Sequence, residues 1–150
     1  MQPKVMQFVR DNITDLDKPK TLDIGSLDVN GNLRELFEDY IGLDMREGKN
    51  VDIVANGHEL PFKDNEFDCV TCVETFEHDD DPFQTMSEIH RVLKEGGKAI
   101  IAASGINFPN HDYPADYFRY TKDGMGVLLK KFKNVNTASD DNESYGVGIK

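Results

Sequence analysis

Two short apolar segments, each closed by an acidic residue, constrain the fold of this chain more than any other feature. The first is TLDI at residues 21–24, which contains Asp23 and leads into Gly25; the second is YIGL at residues 40–43, followed by Asp44. Each segment has the length and composition of a β-strand, and the interval between them accommodates one short helix. Such a unit predicts parallel strands, whose carboxyl ends form ligand sites at one edge of a sheet.

The remaining segments continue this alternation of strands and helices. Apolar residues at helical spacing predict helices over about residues 4–16, 32–38, 82–93 and from 122 onward, with Asp81 and Thr121 as N-caps. Strands are predicted at residues 51–55, 67–73 and 98–103, with two weaker ones near 132–137 and 145–149. The loop over residues 45–50 is too short for a helix, so one crossover is abbreviated. The chain is expected to form a single α/β domain over residues 1–150.

Composition excludes several classes of function. The 150 residues carry a net charge of −11 and have no basic stripe, so a nucleic-acid polymer would be repelled. No apolar run reaches the roughly 18 residues that span a membrane, and the N-terminus lacks a signal-peptide pattern, which predicts a cytoplasmic protein. Cys69 and Cys72 are spaced as CxxC, but they lie on a predicted strand without a second pair and are expected in the core.

The turn after the first strand indicates which cofactor the site takes. Residues 25–31 read GSLDVNG and lack the G-x-G-x-x-G fingerprint of dinucleotide sites, and Asp23 would repel a pyrophosphate. S-adenosylmethionine has no phosphate, and its ammonium group could pair with Asp23 directly or through water. Asp44 could accept hydrogen bonds from the ribose hydroxyls, and the adenine edge could meet three consecutive residues, Asn56, Gly57 and His58.

The strings TLDIGS, YIGLDM, VANGHELPF, FDCVTCVETFEH and RVLKEGGKAIIAAS together resemble the class I S-adenosylmethionine-dependent methyltransferase family. The resemblance covers about residues 20–104. It implies a Rossmann-like three-layer sandwich, with a mostly parallel seven-stranded sheet whose last strand is antiparallel, and S-adenosylhomocysteine as product. The cofactor site is predicted to contain Asp23, Gly25, Ser26, Asp44, Met45, Asn56, Gly57, His58 and Glu74. The resemblance itself implies the roles of five of them: Asp23, Gly25, Asp44, Asn56 and Glu74. The chain departs from the family in its glycine loop, which lacks the form G-x-G-x-G.

The acceptor side of the site is predicted in the connection from Ser104 to Tyr120, which is long, aromatic and interrupted by two prolines. Four of its residues are assigned to substrate binding: His111, Tyr113, Tyr117 and Arg119. A hydroxyl acceptor needs a general base, for which His111 is the first candidate and His78 the second. Packing or capping histidines, and an Asp116–Arg119 pair that fixes the loop, are the structural alternatives.

The string Glu74-x-x-Glu77-His78 resembles one found in ubiquinone-pathway O-methyltransferases, where a divalent ion assists. A cap for the following loop is the favoured interpretation, and no metal site is predicted. The acid run at residues 79–81 is expected to be solvated, apart from the capping role of Asp81.

The predicted function is methyl transfer to oxygen or nitrogen of a small molecule. The strings typical of nucleic-acid adenine and cytosine methylases are missing from the sequence. A cofactor-binding module without activity, or less favourably an NAD-dependent oxidoreductase, is the alternative. No heptad repeat or obvious apolar patch predicts an oligomer.

Overall fold

The computed structural model describes residues 2–111 and 115–150, and its centre is one seven-stranded sheet. The strands are β1 (Lys20–Ile24), β2 (Asp39–Asp44), β3 (Ile53–Val54), β4 (Phe67–Val73), β5 (Leu93–Ser104), β6 (Lys133–Ser139) and β7 (Glu143–Ile149). Their order across the sheet is β3-β2-β1-β4-β5-β7-β6, and β7 runs antiparallel to both of its neighbours. The predicted α/β fold with an antiparallel last strand is therefore confirmed.

Within the part of the chain that the structure describes, three α-helices cover the sheet: α1 (Pro3–Asn12), α2 (Pro82–Val92) and α3 (Lys122–Leu128). One face buries a core that includes Leu22, Val70, Ile89 of α2 and Leu128 of α3. The opposite face buries Val5 and Val9 of α1 with residues of β4, β5 and β7. Successive strand residues point to opposite faces, so the apolar runs of β4 and β5 serve both cores.

The two cysteines lie on opposite faces of β4, one in each core. Both are reduced and fully buried, and burial raises the pKa of Cys69 to about 12. A thiol held this far from ionisation is a poor nucleophile and a poor metal ligand. The prediction of two core cysteines is confirmed.

The helix expected over residues 32–38 is wrong, because the chain forms only a 3-10 turn at Arg34–Leu36. The Asp28 carboxylate accepts hydrogen bonds from the Gly31 amide and the Asn32 side chain, and Asn32 accepts from the Arg34 amide. These side chains bind the backbone donors locally and hold the segment as a loop. The β1–β2 crossover is therefore abbreviated, in addition to the predicted short connection after β2.

Other boundaries differ from the sequence-based expectations at the ends of elements. The first helix ends at Asn12 instead of residue 16, and β3 contains two residues instead of five. Helix α2 ends at Val92, and Leu93 already pairs with Phe67 of β4, so β5 begins five residues earlier than predicted, with a register irregularity before Lys98. The interior of each of these elements matches its pattern, and the pairing partners set the ends.

Among the described residues, no helix has the length and apolarity needed to cross a bilayer.

Candidate active site

A cavity of about 600 Å³ opens at the carboxyl edge of the sheet. Its wall takes residues from the ends of β1, β2, β4 and β5, from the first residue of β7 and from the start of α1. The volume lies in the range of small-molecule sites. Nine residues assigned from the sequence line it: Gly25, Asp44, Met45, Asn56, Gly57, His58, Glu74, His78 and His111.

The turn after β1 brings the backbone of Gly25 against the neighbouring strand. Its φ of +77° lies in the left-handed region, and a Cβ added there would lie 1.9 Å from the Thr75 Oγ1. Its amide donates to the carbonyl of Leu43 at 2.8 Å, which ties the turn to the end of β2. Only glycine meets both the backbone and the steric requirement at this point.

Asp44 ends β2 on the cavity wall, and its side chain is 9% exposed. Its two carboxylate oxygens accept hydrogen bonds from the amides of Leu27 (3.4 Å) and Arg46 (3.0 Å). These bonds fix the carboxylate, and the remaining lone pairs of its oxygens can accept from a hydroxyl pair in the cavity. The neighbouring Met45 is exposed and also lines the cavity.

The segment Asn56–His58 forms the next part of the wall. The Asn56 side-chain carbonyl accepts from the His58 amide at 3.0 Å, so it closes a local turn. The His58 Nε2 lies 2.7 Å from a carboxylate oxygen of Asp79, which raises the pKa of the histidine. Asp79 also accepts from the Thr85 hydroxyl at 2.6 Å. The expectation that the whole run of residues 79–81 is solvated is wrong for Asp79, while Asp81 caps α2 through the Gln84 amide as predicted.

Asp23 lies within the sheet and does not line the cavity. It is 3% exposed, and its two oxygens accept from the hydroxyls of Tyr40 (2.6 Å) and Thr71 (2.7 Å). Burial outweighs these hydrogen bonds and raises the pKa of Asp23 to about 6. Direct pairing of Asp23 with a ligand ammonium is therefore not supported by the geometry, because Asp23 points into the α1 side of the sheet.

Ser26 is also buried outside the cavity wall. Its hydroxyl donates to the Asn50 carbonyl at 3.2 Å, and the Asn50 side chain donates to the Ser26 carbonyl at 2.8 Å. Ser26 thus anchors the turn and offers no side-chain group to a ligand in this arrangement.

The cavity wall beyond Gly25 is strongly acidic. Glu74 follows β4 with a left-handed φ of +51°, and its carboxylate accepts from the Gln2 amide at 3.2 Å. Glu77 and Glu143 are buried, and burial raises the pKa of both carboxyls, that of Glu143 to about 8 with Glu74 and Glu77 nearby. A left-handed non-glycine residue and two buried acids at one cavity indicate a functional site.

The two histidines predicted as bases lie side by side on this wall. The rings of His78 and His111 have centroids 4.8 Å apart. The His78 Nδ1 donates to the carbonyl of Ala115, because a carbonyl only accepts, so in the neutral ring the lone pair is on Nε2. The His111 Nε2 lies 3.9 Å from a Glu77 carboxylate oxygen.

The described residues include two groups of side chains that could bind a metal ion. They are Glu77 with His78 and His111, and His58 with Asp79 and Asp80, and the possible ligand atoms of each group lie within 4.8 Å of one another. The first group includes part of the Glu74-x-x-Glu77-His78 string. The divalent-ion interpretation and the capping interpretation of that string therefore both stay predictions.

The other loop residues assigned to the acceptor have different positions. All five N–H donors of Arg119 find acceptors in its own loop, namely the Asp116 carboxylate and the carbonyls of Phe108, Pro109 and Phe118. No N–H group of Arg119 is left for a substrate in this arrangement, and the Asp116–Arg119 pair fixes the loop, so substrate binding by Arg119 stays a prediction that this geometry does not support. Tyr117 is 53% exposed and does not line the cavity. Tyr113 lies outside the described residues.

Sequence reasoning missed several residues of the wall. Glu77 stood in a quoted string but was not assigned to the site, and Gln2, Thr75, Ser104, Phe108 and Glu143 gave no local signal. Glu143 reaches the cavity because β7 is antiparallel, which brings its first residue to the edge where the parallel strands end.

Comparisons with known proteins agree with this architecture. A family model described as a methyltransferase domain matches residues 22–101, just over half of the chain. A demethylmenaquinone methyltransferase of Listeria welshimeri is 39% identical over 85 residues, which cover 55% of this chain and 36% of that protein. The match thus spans about a third of the length of this curated relative.

Solved structures match over almost the whole chain. One is a methyltransferase of Thermotoga maritima described as a possible histamine N-methyltransferase, with a TM-score of 0.75 and 20% identity over 97% of this chain and 87% of that one. Another is a Haemonchus contortus phosphoethanolamine N-methyltransferase with bound S-adenosylhomocysteine, with a TM-score of 0.76 and 16% identity over 98% of this chain and 52% of that one. These similarities establish the fold. With the matched family model, they show that the chain belongs to the class I methyltransferase family, whose cofactor is S-adenosylmethionine.

Proposed function

We propose that this protein transfers a methyl group from S-adenosylmethionine to oxygen or nitrogen of a small-molecule acceptor. The observation that carries the proposal is the placement of Asp44, a fixed carboxylate on the cavity wall beside the Gly25 turn. The acids at this wall would repel the phosphates of a phosphate-bearing cofactor, whereas the Asp44 carboxylate can accept hydrogen bonds from a pair of ribose hydroxyls. Neither the non-catalytic module nor the oxidoreductase is favoured by the comparisons or by the described residues.

Different residues along the cavity would bind different parts of the cofactor. Asp44 and Met45 would hold the ribose end of the cofactor, the Asn56–His58 turn its adenine, and Gly25 and Glu74 its amino-acid end. The cofactor supplies a methyl group already activated on a sulfonium, so the protein mainly positions the acceptor and excludes water. Asp23 would act from inside the sheet, as a support for the β1 end.

The acceptor side would be formed by the loop after β5. His111 lies on the wall there, next to His78 and Glu77, and can take a proton at Nε2 from an acceptor hydroxyl or amine. His78 is oriented by its bond to Ala115 and remains the second candidate. The single domain over residues 1–150 and the cytoplasmic location stay predictions.

Asp44→Asn tests the cofactor assignment. The amide keeps the shape but loses charged acceptor capacity, so S-adenosylhomocysteine should bind about 10–100-fold more weakly, as expected for one or two lost bonds to a charged group. Isothermal titration calorimetry of wild type and variant measures the difference.

Glu95→Gln is the matched control, since Glu95 is an exposed acid in the Gly-rich segment at the start of β5, at the opposite edge of the sheet. It should bind like wild type. If wild type binds neither S-adenosylmethionine nor S-adenosylhomocysteine, the proposed function is wrong; unchanged affinity in Asp44→Asn would remove only the role of Asp44.

A further inference from the structure

Two buried carboxyl groups line the cavity next to Ser104, at the end of β5. Glu77 lies in the 3-10 turn Phe76–His78 after β4 and is 0% exposed, and Glu143 begins β7 and is 1% exposed. Ser104 joins them, because its hydroxyl donates to the Glu77 Oε1 at 2.9 Å and its backbone pairs with Glu143 across the β5–β7 ladder. Both acids line the cavity.

Each of these carboxyl groups has one satisfied and one unsatisfied oxygen. Ser104 donates to Glu77, and the Gln2 side-chain amide donates to the Glu143 Oε1 at 2.7 Å. The Oε2 atom of each is buried and has no hydrogen-bond partner among the described residues. Buried carboxyl oxygens without donors are costly, so two of them on one cavity wall indicate a ligand that brings N–H or O–H groups.

The charge of the wall decides which ligand fits. Ser104 and Gln2 are neutral donors, and the five N–H groups of the nearby Arg119 are bound within its own loop. The His111 Nε2 lies 3.9 Å from a Glu77 carboxylate oxygen, and the charges of His78 and Arg119 also act on Glu77 and Glu143 respectively. An ammonium group carries up to three N–H donors and a positive charge, and so can satisfy both acids at once.

The neighbouring side chains suit such a ligand. The rings of Phe108 and His111 stand with centroids 4.9 Å apart on the same wall and offer apolar surface to the carbon chain next to an ammonium. The net charge of −11 attracts a cationic acceptor from solution.

We infer that Glu77 and Glu143 form a binding site for the protonated amine of the methyl acceptor, which makes the acceptor an amine-bearing small molecule. The inference rests on the proposed function, because it names the substrate class of the same cavity. The same chemistry occurs in the ammonium group of the cofactor itself, and the experiment separates the two sources.

The probes are benzylamine and the neutral benzyl alcohol, each titrated into the isotope-labelled protein saturated with S-adenosylhomocysteine and followed by NMR chemical shifts. Benzylamine should shift resonances of Glu77, Ser104 and Glu143 and bind at least tenfold more tightly than the alcohol. The variant with Glu77→Gln and Glu143→Gln should lose this preference, while Glu95→Gln keeps it. Dispersed spectra check that each variant is folded, and the two single variants replace the double one if it is not.

Equal binding of amine and alcohol, or an undiminished preference in the glutamine variants, would overturn the inference. So would a dependence of the benzylamine shifts on added Zn²⁺, which would assign Glu77 to a metal with His78 and His111. A second arm measures S-adenosylhomocysteine affinity, which should change less than about twofold in the glutamine variants. A large loss there, with 5′-methylthioadenosine affinity unchanged, would assign the acids to the cofactor's ammonium. Failure of S-adenosylhomocysteine to bind wild type would instead contradict the proposed function.

Discussion

Asp23 belongs to a sequence motif of the family, but the motif does not show that this residue is buried. The sequence places an acid at the end of β1, and the structure surrounds it with the hydroxyls of Tyr40 and Thr71 inside the sheet. Tyr40 in turn accepts from the Asn50 side chain at 2.9 Å, so the network reaches the turn that holds Ser26. We therefore expect Asp23 to support the geometry of the β1 end.

The pH dependence of stability tests this environment. The pKa of Asp23 rises from 3.8 to about 6 on burial. The folded state then binds this proton more tightly than the unfolded state, so the stabilising contribution is complete below about pH 4 and is lost as the pH rises through about 6. Relative to Asp23→Asn, whose amide does not titrate, wild type should lose about 2.4 kcal/mol of unfolding free energy between pH 4 and pH 8.

Urea denaturation of both proteins at several pH values measures this difference, and the comparison cancels the other carboxyl groups with raised pKa values. A stability difference that is constant from pH 4 to pH 8 would contradict the buried, titrating Asp23.

At the scale of elements, local patterns predicted the interiors well. The predicted bounds of β4 match the structure, and α2 starts after its Asp81 cap, because apolar alternation, caps and proline act within a few residues. The helix predicted over residues 32–38 does not form, although its apolar residues have helical spacing. The side chains of Asp28 and Asn32 bind nearby backbone N–H groups and hold the segment as a loop.

The turn that ends β1 gives a prediction at this scale. Gly25→Ala adds a Cβ that meets Thr75 at 1.9 Å and forces an L-residue into a left-handed conformation, which alone costs roughly 1–2 kcal/mol. We expect a loss of more than about 2 kcal/mol in unfolding free energy, with weaker S-adenosylhomocysteine binding. Adding Thr75→Ala should recover the part that arises from the contact.

Gly126→Ala is the control, since Gly126 lies in α3 and an added Cβ would meet no heavy atom within 4 Å apart from its chain neighbours and the backbone of its own helix. It should be neutral or stabilising by about 0.5–1 kcal/mol. Chemical denaturation compares the variants, and equal stability of the two alanine variants would contradict the tight turn.

At the scale of the whole molecule, the cavity connects distant parts of the chain. The backbone N–H of Gln2 donates to Glu74, which follows β4, and its side-chain amide donates to Glu143 of β7. The start of α1 is therefore bound to two places on the carboxyl edge of the sheet. A ligand in this cavity touches most elements of the fold and should stabilise them together.

Saturating S-adenosylhomocysteine should therefore raise the melting temperature. At a concentration about 100 times its dissociation constant, linkage gives about 2.7 kcal/mol, or about 5–10 °C for a chain of this size. Calorimetric melting with and without ligand measures the shift, and Asp44→Asn should show a smaller one at the same concentration. A shift of the same size with S-adenosylhomocysteine in both proteins would contradict the role of Asp44 in binding.

The sequence by itself determined the alternation of strands and helices, the glycine turn after β1, the acids at strand ends and the family, because each is encoded in contiguous residues. Only the tertiary structure decided that Asp23 is buried, that Arg119 is bound within its loop and that Glu77 and Glu143 line the same cavity. These outcomes depend on which strands are neighbours, and the insertion of antiparallel β7 beside β5 is a non-local packing result. The proposed cofactor end of the site is thus readable from local motifs, whereas the acidic wall that we propose for the acceptor exists only because the fold places residues 77 and 143 on one cavity.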